Sequence, residues 1–427
     1  MNLSQLGADD NAALKDIIRG RIRSAGPISF AEFLSLALYH PRHGYYFACD
    51  PTRDYQSSPN VHPVFGAMVA RQLAGFWRLL GRPARFDVFE AGAGSGRLAA
   101  DVLRALRAEE PDLYDAVRYV AQDVTYGGPL AAAEPSRPNH PVRPEPVEGR
   151  SAGGESSFDP SAGLRAGKLR TNVSPAELSA DNVGGAPDLP SSPEIDGCVL
   201  SNELLDAQPV HRVAVESGRL REVFVIWNGV RFAEELRAPS SPEIEEYFQR
   251  AGLSPGEGCR AEVNLEALRW MREAANALSR GFVMTFDYGY DAAELYAPWR
   301  QDGTLLCFYR HNPSNDPYAR IGRQDITAHV DLTAVRKAGE EAGLKTLGIV
   351  SQTEFLTNMG IAEAVSPPGE GESDPSALLR GGLEEYYARR RALIELLDPS
   401  GLGRIRVLIQ SKGMGDVRLS GLGEGRW

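Results

Sequence analysis

Acidic side chains stand at the ends of successive apolar runs in this chain. Glu90 closes "FDVFE" and is followed by Gly92, Gly94 and Gly96; Asp123 closes "VRYVAQD". Asn202, Glu203 and Asp206 follow "GCVLS", and Asp287 closes "GFVMTFD". Closely spaced glycines after a strand let a backbone approach a ligand. Carboxylates at strand ends can hold a cation through charge-assisted hydrogen bonds, bidentate where the cation is a guanidinium.

Three ligands compete for the glycine turn. A triphosphate loop needs Gly-Lys-Ser/Thr, and "GAGSGRL" has no such ending. A dinucleotide fingerprint wants G-x-G-x-x-G, and here the last glycine comes one residue early. Its acidic partner should follow about 20 residues on, whereas Asp123 lies about 30 on. S-adenosylmethionine has no phosphate but carries a sulfonium and an ammonium. Glu90 can face that cationic end, and Asp123 can accept hydrogen bonds from ribose hydroxyls. Without Glu90 and Asp123 the turn would read equally well as a tight connection that binds nothing.

These residues need a scaffold that presents strand ends on one edge. "FDVFE" followed by "GRLAADVLRAL" reads as strand, turn, helix, and the alternation continues to "VNLEALRWMREAANALSRGFVMTFD" and "DLTAVRKAGEEAGLKTLGIV". "RIRVLIQSKG" adds a late strand. Such alternation predicts an α/β fold with a parallel sheet covered on both faces, whose ligands bind outside the carboxyl ends of the strands. Glu203 and Asp206 are expected where a strand gives way to a helix. Upstream, Ser29 is placed to cap a helix with Glu32 completing a capping box, and that helix should end before Pro41. A second helix is expected from near Pro63 to Gly81. Asp331 is placed as a helix cap, and His329 beside it reads as structural.

The chain has 427 residues, 42% hydrophobic and 24% charged, with a formal net charge of -11. No long basic run is present, so binding to nucleic acid is not expected. Its four cysteines lie far apart, without metal-ligand spacing. "MNLSQLGADDNAALKDIIRGRIRSAG" has no apolar core like that of a signal peptide, and no run is long enough for a membrane span, so a cytoplasmic location is expected. Residues 134–193 are rich in Pro, Gly, Ser and Arg and are expected to be a disordered insertion.

The ordered set "LALYHPRHGYYF", "DYQSSPNVHPVFG", "FEAGAGSGRLAADVLR", "SNELLDAQPVHR", "GFVMTFDYGY" and "GRQDITAHVDLT" resembles the MidA-like family, methyltransferases related to a mitochondrial complex I assembly factor. The resemblance covers nearly all the chain except the insertion. It implies a class I methyltransferase (Rossmann-like) fold: a mostly parallel sheet with helices on both faces, an N-terminal helical lid over residues 1–84, and a methyltransferase domain over 85–427. It implies S-adenosyl-L-methionine as cofactor, held by Glu90, Gly92, Gly94, Gly96, Asp123 and Asn202, with Ser58 and Pro59 of the lid alongside. For the acceptor it implies a protein arginine on a respiratory complex I subunit or its bacterial counterpart. Arg53-Asp54-Tyr55 stands where the family has Gly-Asp-Phe, and Asp123 where it has Glu. Within that frame Glu203, helped by Asp206 or Asp287, is the expected catalytic group, localising the arginine's charge. Tyr45 and Tyr46 belong to the lid or to its packing. A small-molecule methyltransferase and a non-catalytic assembly factor are the alternatives.

Overall fold

The computed structural model describes residues 11–124, 128–133, 189–363 and 383–423. Most of the expected insertion, residues 134–188, lies outside them. Seven strands form the central sheet: β1 Phe86–Ala91, β2 Val117–Asp123, β3 Gly128–Ala133, β4 Ile195–Asn202, β5 Leu278–Asp287, β6 Lys345–Ser351 and β7 Arg406–Lys412. Their spatial order is β6-β7-β5-β4-β1-β2-β3.

Only the centre of this sheet is parallel. The pairs β5–β4, β4–β1 and β1–β2 run parallel, while β7 runs against both β5 and β6, and β3 runs against β2. Five strands, β6, β5, β4, β1 and β2, therefore point one way, so the expected mostly parallel sheet holds in part, and β7 and β3 are the antiparallel departures from it. A buried strand's composition records that both faces are covered but not which way it runs. The central strands still end on one edge, and that edge carries the acids.

Alternation along the strands builds two cores. Phe86 and Val88, Cys198 and Leu200, and Phe282 and Met284 join one cluster; Phe89, Val199 and Val283 join the other. Two helices, α1 Val64–Leu79 and α2 Arg97–Glu109, supply the first cluster, where Phe76 stacks on Phe282 with ring centroids 3.9 Å apart. Two others, α3 Leu265–Ala277 and α4 Leu332–Glu341, supply the second. Asp331 caps α4 by accepting from Ala334 N, as expected.

A second, wholly antiparallel sheet was not foreseen. It joins Ile28–Ser29, Arg219–Trp227, His211–Glu216, Phe232–Arg237 and Arg260–Val263. The N-terminal helices Ala12–Ala25 and Phe30–Tyr39 pack on it in a third cluster that also takes in Leu305, Cys307 and Ile326. The expected N-terminal helical region therefore includes a strand and shares its core with residues far downstream. Ser29 caps the helix at Phe30–Tyr39 by accepting from Glu32 N at 3.1 Å. The Glu32 carboxylate does not complete the capping box; it takes a 2.6 Å bond from Arg21 Nε. Among the described residues, no helix is long and apolar enough to cross a membrane.

Candidate active site

At the end of β1 the chain turns through Gly92, Gly94 and Gly96 with φ of 70°, 52° and 75°. That left-handed region is cheap for glycine and costly for side chains carrying Cβ. Gly96 caps α2 and is not on the cavity wall; its role is to turn the chain into the helix. Gly94 N donates to Asp123 Oδ2 at 2.9 Å, tying the turn to the end of β2. A Cβ added at Gly94 would meet no protein atom within 4 Å, whereas one at Gly92 would press on Leu204 at 2.8 Å.

Above this turn lies a cavity of about 480 Å³. Glu90, Gly92, Gly94, Asp123 and Asn202 line one side, and Tyr39, Tyr46, Tyr55 and Pro59 come from the N-terminal segment. Glu90 is buried and accepts from Tyr119 Oη at 2.7 Å. Burial pushes its carboxyl up to about 7, against the lowering by the Tyr119 bond. Asn202 Oδ1 is buried with no hydrogen-bond partner among the described residues. An acid at the cationic end, a carboxylate at the end of the neighbouring strand, an orphaned acceptor and an open backbone approach together fit a phosphate-free cationic nucleoside such as S-adenosylmethionine. Gly94→Val should lower affinity for that ligand at least tenfold in calorimetry, because the side chain adds bulk at the cavity wall and strains a φ of 52°. Undiminished binding would remove the turn from the site.

A second cavity of about 430 Å³ adjoins the first, and the two share Tyr46, Tyr55, Glu203 and Ala207 as walls. Glu203 follows β4 with a φ of 52°, an unusual value for a residue with a side chain. No helix follows it; the chain makes a turn and enters the strand His211–Glu216. This corrects the strand-to-helix expectation. The turn is held by Asp287 at the end of the adjacent β5. Asp287 Oδ2 accepts from Leu204 N and Leu205 N at 3.2 and 2.7 Å. Its Oδ1 accepts from Asp206 N and Tyr288 N at 3.3 and 2.9 Å. Asp287 is fully buried and lines neither cavity, so its carboxylate is committed to the backbone.

Glu203 lies between the cavities with one oxygen tied. Its Oε1 accepts from Ser58 N at 3.2 Å and Asn202 Nδ2 at 3.0 Å; among the described residues no hydrogen bond engages Oε2. Ser58 sits behind the wall, its hydroxyl donating to Gln352 Oε1 at 2.9 Å, while Pro59 is on the wall itself. Asp325, which the sequence reading did not single out, repeats the pattern. Its Oδ1 accepts from Tyr46 Oη at 2.8 Å and Ile326 N at 3.0 Å, and among the described residues no hydrogen bond engages Oδ2. Burial pushes Glu203 and Asp325 each up to about 7. Asp206, on the same wall, is also raised well above its usual range, by burial and then by the charges of Asp287 and Glu203. Asp287 is itself raised by burial, to about 7, against the lowering by its four backbone N–H bonds. Among the described residues, no ion pair neutralises Glu203, Asp206 or Asp325. Buried acids without a cation are costly in an empty pocket and favourable in one that receives a cation.

Tyr45 and Tyr46 of the N-terminal segment are both bonded to buried acids. Tyr45 Oη donates to Asp54 Oδ2 at 2.7 Å, and Asp54 Oδ1 accepts from Arg310 N at 2.6 Å. His329 also lines the second cavity, bonded through Nε2 to Arg404 Nη2 at 2.7 Å.

Comparison with known proteins adds a family. The model of a family of S-adenosyl-L-methionine-dependent methyltransferases matches residues 68–127 and 164–350. The chain is 28% identical over 413 residues to the mitochondrial protein arginine methyltransferase NDUFAF7 homolog of Drosophila melanogaster, covering 92% of this chain and 83% of that protein. It is 26% identical over 382 residues to the Homo sapiens protein arginine methyltransferase NDUFAF7, covering 84% of this chain and 77% of the other. In three dimensions it is similar to a Burkholderia thailandensis protein bound to S-adenosyl-homocysteine. That similarity has a TM-score of 0.70 at 27% identity and covers 100% of this chain and 97% of the other.

Proposed function

The chain belongs to the S-adenosyl-L-methionine-dependent methyltransferase family, and from that premise we propose that it methylates a guanidinium nitrogen of a protein arginine. S-adenosyl-L-methionine is its cofactor. The observation that carries the acceptor reading is the pair of carboxylates, Glu203 half-buried and Asp325 buried, each with one oxygen bonded to the protein and, among the described residues, one not, on the cavity next to the donor site. A guanidinium offers parallel N–H pairs to such oxygens. A neutral acceptor would leave the acids unpaired. The relatives named above are protein arginine methyltransferases, which supports a protein acceptor; the resemblance to the MidA-like family points to a respiratory complex I subunit or its bacterial counterpart as that protein.

In this reading Glu90 and Asp123 hold the donor, whose bound sulfonium supplies an electrophilic methyl group and departs as a neutral thioether. Glu203 Oε2 and Asp325 Oδ2 orient the guanidinium and concentrate its lone pair on the nitrogen facing the donor cavity. As the nitrogen–methyl bond forms, that nitrogen releases one proton, taken by Glu203, and the product leaves as a methylguanidinium cation. Tyr46 and Tyr55 keep water from the junction.

Two measurements test this. Purified protein incubated with labelled S-adenosylmethionine and lysate from a strain lacking it should give labelled methylarginine in a protein band by mass spectrometry; label found only in small molecules would refute the reading. The second is a pH profile. The working forms of Glu203 and Asp325 are the anions, and burial lifts both carboxyls to about 7. Their charged fraction therefore rises with pH, so kcat/KM for a cationic acceptor should climb through about pH 7 and level off above it. A profile flat across that range would count against both carboxylates.

A further inference from the structure

The acceptor cavity carries a positive group that the methyl-transfer reading does not use. Arg404 lies on its wall, just before β7, and is exposed. It does not line the donor cavity, whereas Glu203 lines both, so Arg404 belongs to the acceptor cavity alone. Among the described residues, Arg404 makes no ion pair with any carboxylate, including the acids of its own cavity.

Its position is set by rings instead. Arg404 Nη2 is 2.7 Å from His329 Nε2, and its guanidinium lies 5.7 Å from the Tyr288 ring centroid. His329 is held well below its usual range, to about 4, by burial and then by Arg404 and Arg300. It is therefore neutral and accepts from Arg404 rather than repelling it. His329 stacks on Tyr290 at 5.1 Å, and Arg300 covers Tyr290 from 4.2 Å. Among the described residues, the carboxylate partner of Arg300 is Glu294 at 3.7 Å, and its Nε donates to the Glu294 carbonyl at 3.1 Å. The result is a braced cation on the wall of a cavity that also carries Glu203, Asp206 and Asp325, on a chain whose formal net charge is -11.

We propose that Arg404 is a specificity residue that binds a carboxylate carried beside the guanidinium of the acceptor, so that the preferred acceptor is an arginine with an acidic neighbour. This rests on the cationic-acceptor reading above. The shared chemistry is a guanidinium and a carboxylate within one ligand. The carboxylate can belong to an acidic side chain following an internal arginine or to the α-carboxylate of arginine itself. A carboxylate brought beside the acids of a net-negative protein is repelled unless a dedicated cation receives it, which makes the discrimination measurable.

The test is binding to the protein loaded with S-adenosyl-homocysteine, measured by calorimetry at fixed ionic strength. One arm compares two capped peptides, Gly-Arg-Gly-Glu-Glu and Gly-Arg-Gly-Gln-Gln. The other compares L-arginine with agmatine, which lacks the α-carboxylate. The acidic peptide should bind roughly five- to tenfold tighter than its amide twin, as expected for a partly exposed charge pair with defined geometry. Arg404→Gln should remove that preference, and Arg404→Lys should restore part of it. Preference confined to the L-arginine arm would assign the carboxylate to a free amino acid. Equal binding within both pairs would overturn the proposal while leaving the guanidinium reading intact. Absence of binding by all four probes would overturn the guanidinium reading and this proposal with it. Unchanged affinity of each variant for S-adenosyl-homocysteine shows that it is folded.

Discussion

Glu203→Gln lowers kcat by roughly 100- to 1,000-fold and leaves the affinity for S-adenosylmethionine within about twofold. The amide oxygen can still accept from Ser58 N and Asn202 Nδ2, so the turn keeps its shape. What changes is the other position: the Oε2 acceptor becomes an N–H donor facing a cation. Single-turnover rates and calorimetry on one preparation separate the two effects. Rates preserved to within twofold would exclude Glu203 from the reaction. Rates and donor affinity falling together would make it a structural element of the donor pocket. Asp325→Asn gives a different signature, because Asp325 lines only the acceptor cavity: KM for the acceptor should rise while donor affinity is unaffected.

Asp287→Ala should cost about 4 kcal/mol of unfolding free energy, among the largest losses available to one substitution here. The carboxylate satisfies the N–H groups of Leu204, Leu205, Asp206 and Tyr288. Removing it strands those donors in a fully buried setting, at about 1–3 kcal/mol for each that finds no new partner. Asp287→Asn keeps the volume and one oxygen, so it should lose about half as much. Denaturant titration reads the difference, and a loss below about 1 kcal/mol for the alanine variant would show that the turn holds itself. Activity should fall in both variants, since Glu203 is the first residue of that turn. This casts Asp287 as a positioning residue that acts through the backbone.

The donor half of the site was legible because its signal is local. A strand, closely spaced glycines and an acid before them occupy one short stretch, and Asp123 comes at the end of the next strand. Gly96 and Ser58 show the limit of that reading: both sit within the site's motifs, yet one turns the chain and the other supports Glu203 from behind. The acceptor half was less legible because it is assembled from distant pieces. Asp325 lies in a three-residue strand with no periodic signature, and its bond to Tyr46 spans 279 residues. Asp287 ends its strand just as Glu90 does, and only the neighbouring backbone shows that its carboxylate is already used. The second sheet escaped notice because its strands are partly exposed, so their alternation is broken by charged residues such as Glu234 and Glu235. The antiparallel edges of the central sheet escaped because direction leaves no mark in a sequence.

The bonds from β5 to the turn after β4 link the chemistry to the order of assembly. β4 and β5 pair in a register from Leu278 opposite Ile195 to Phe286 opposite Asn202, with an irregularity near Arg280. A slip of one residue would swing Asp287 to the other face of the sheet and leave Glu203 unsupported. The carboxylates therefore converge only after this pairing is complete and correct. A misregistered chain is inert toward substrate, so activity itself certifies the fold, and the protein cannot modify its target before it has finished making itself.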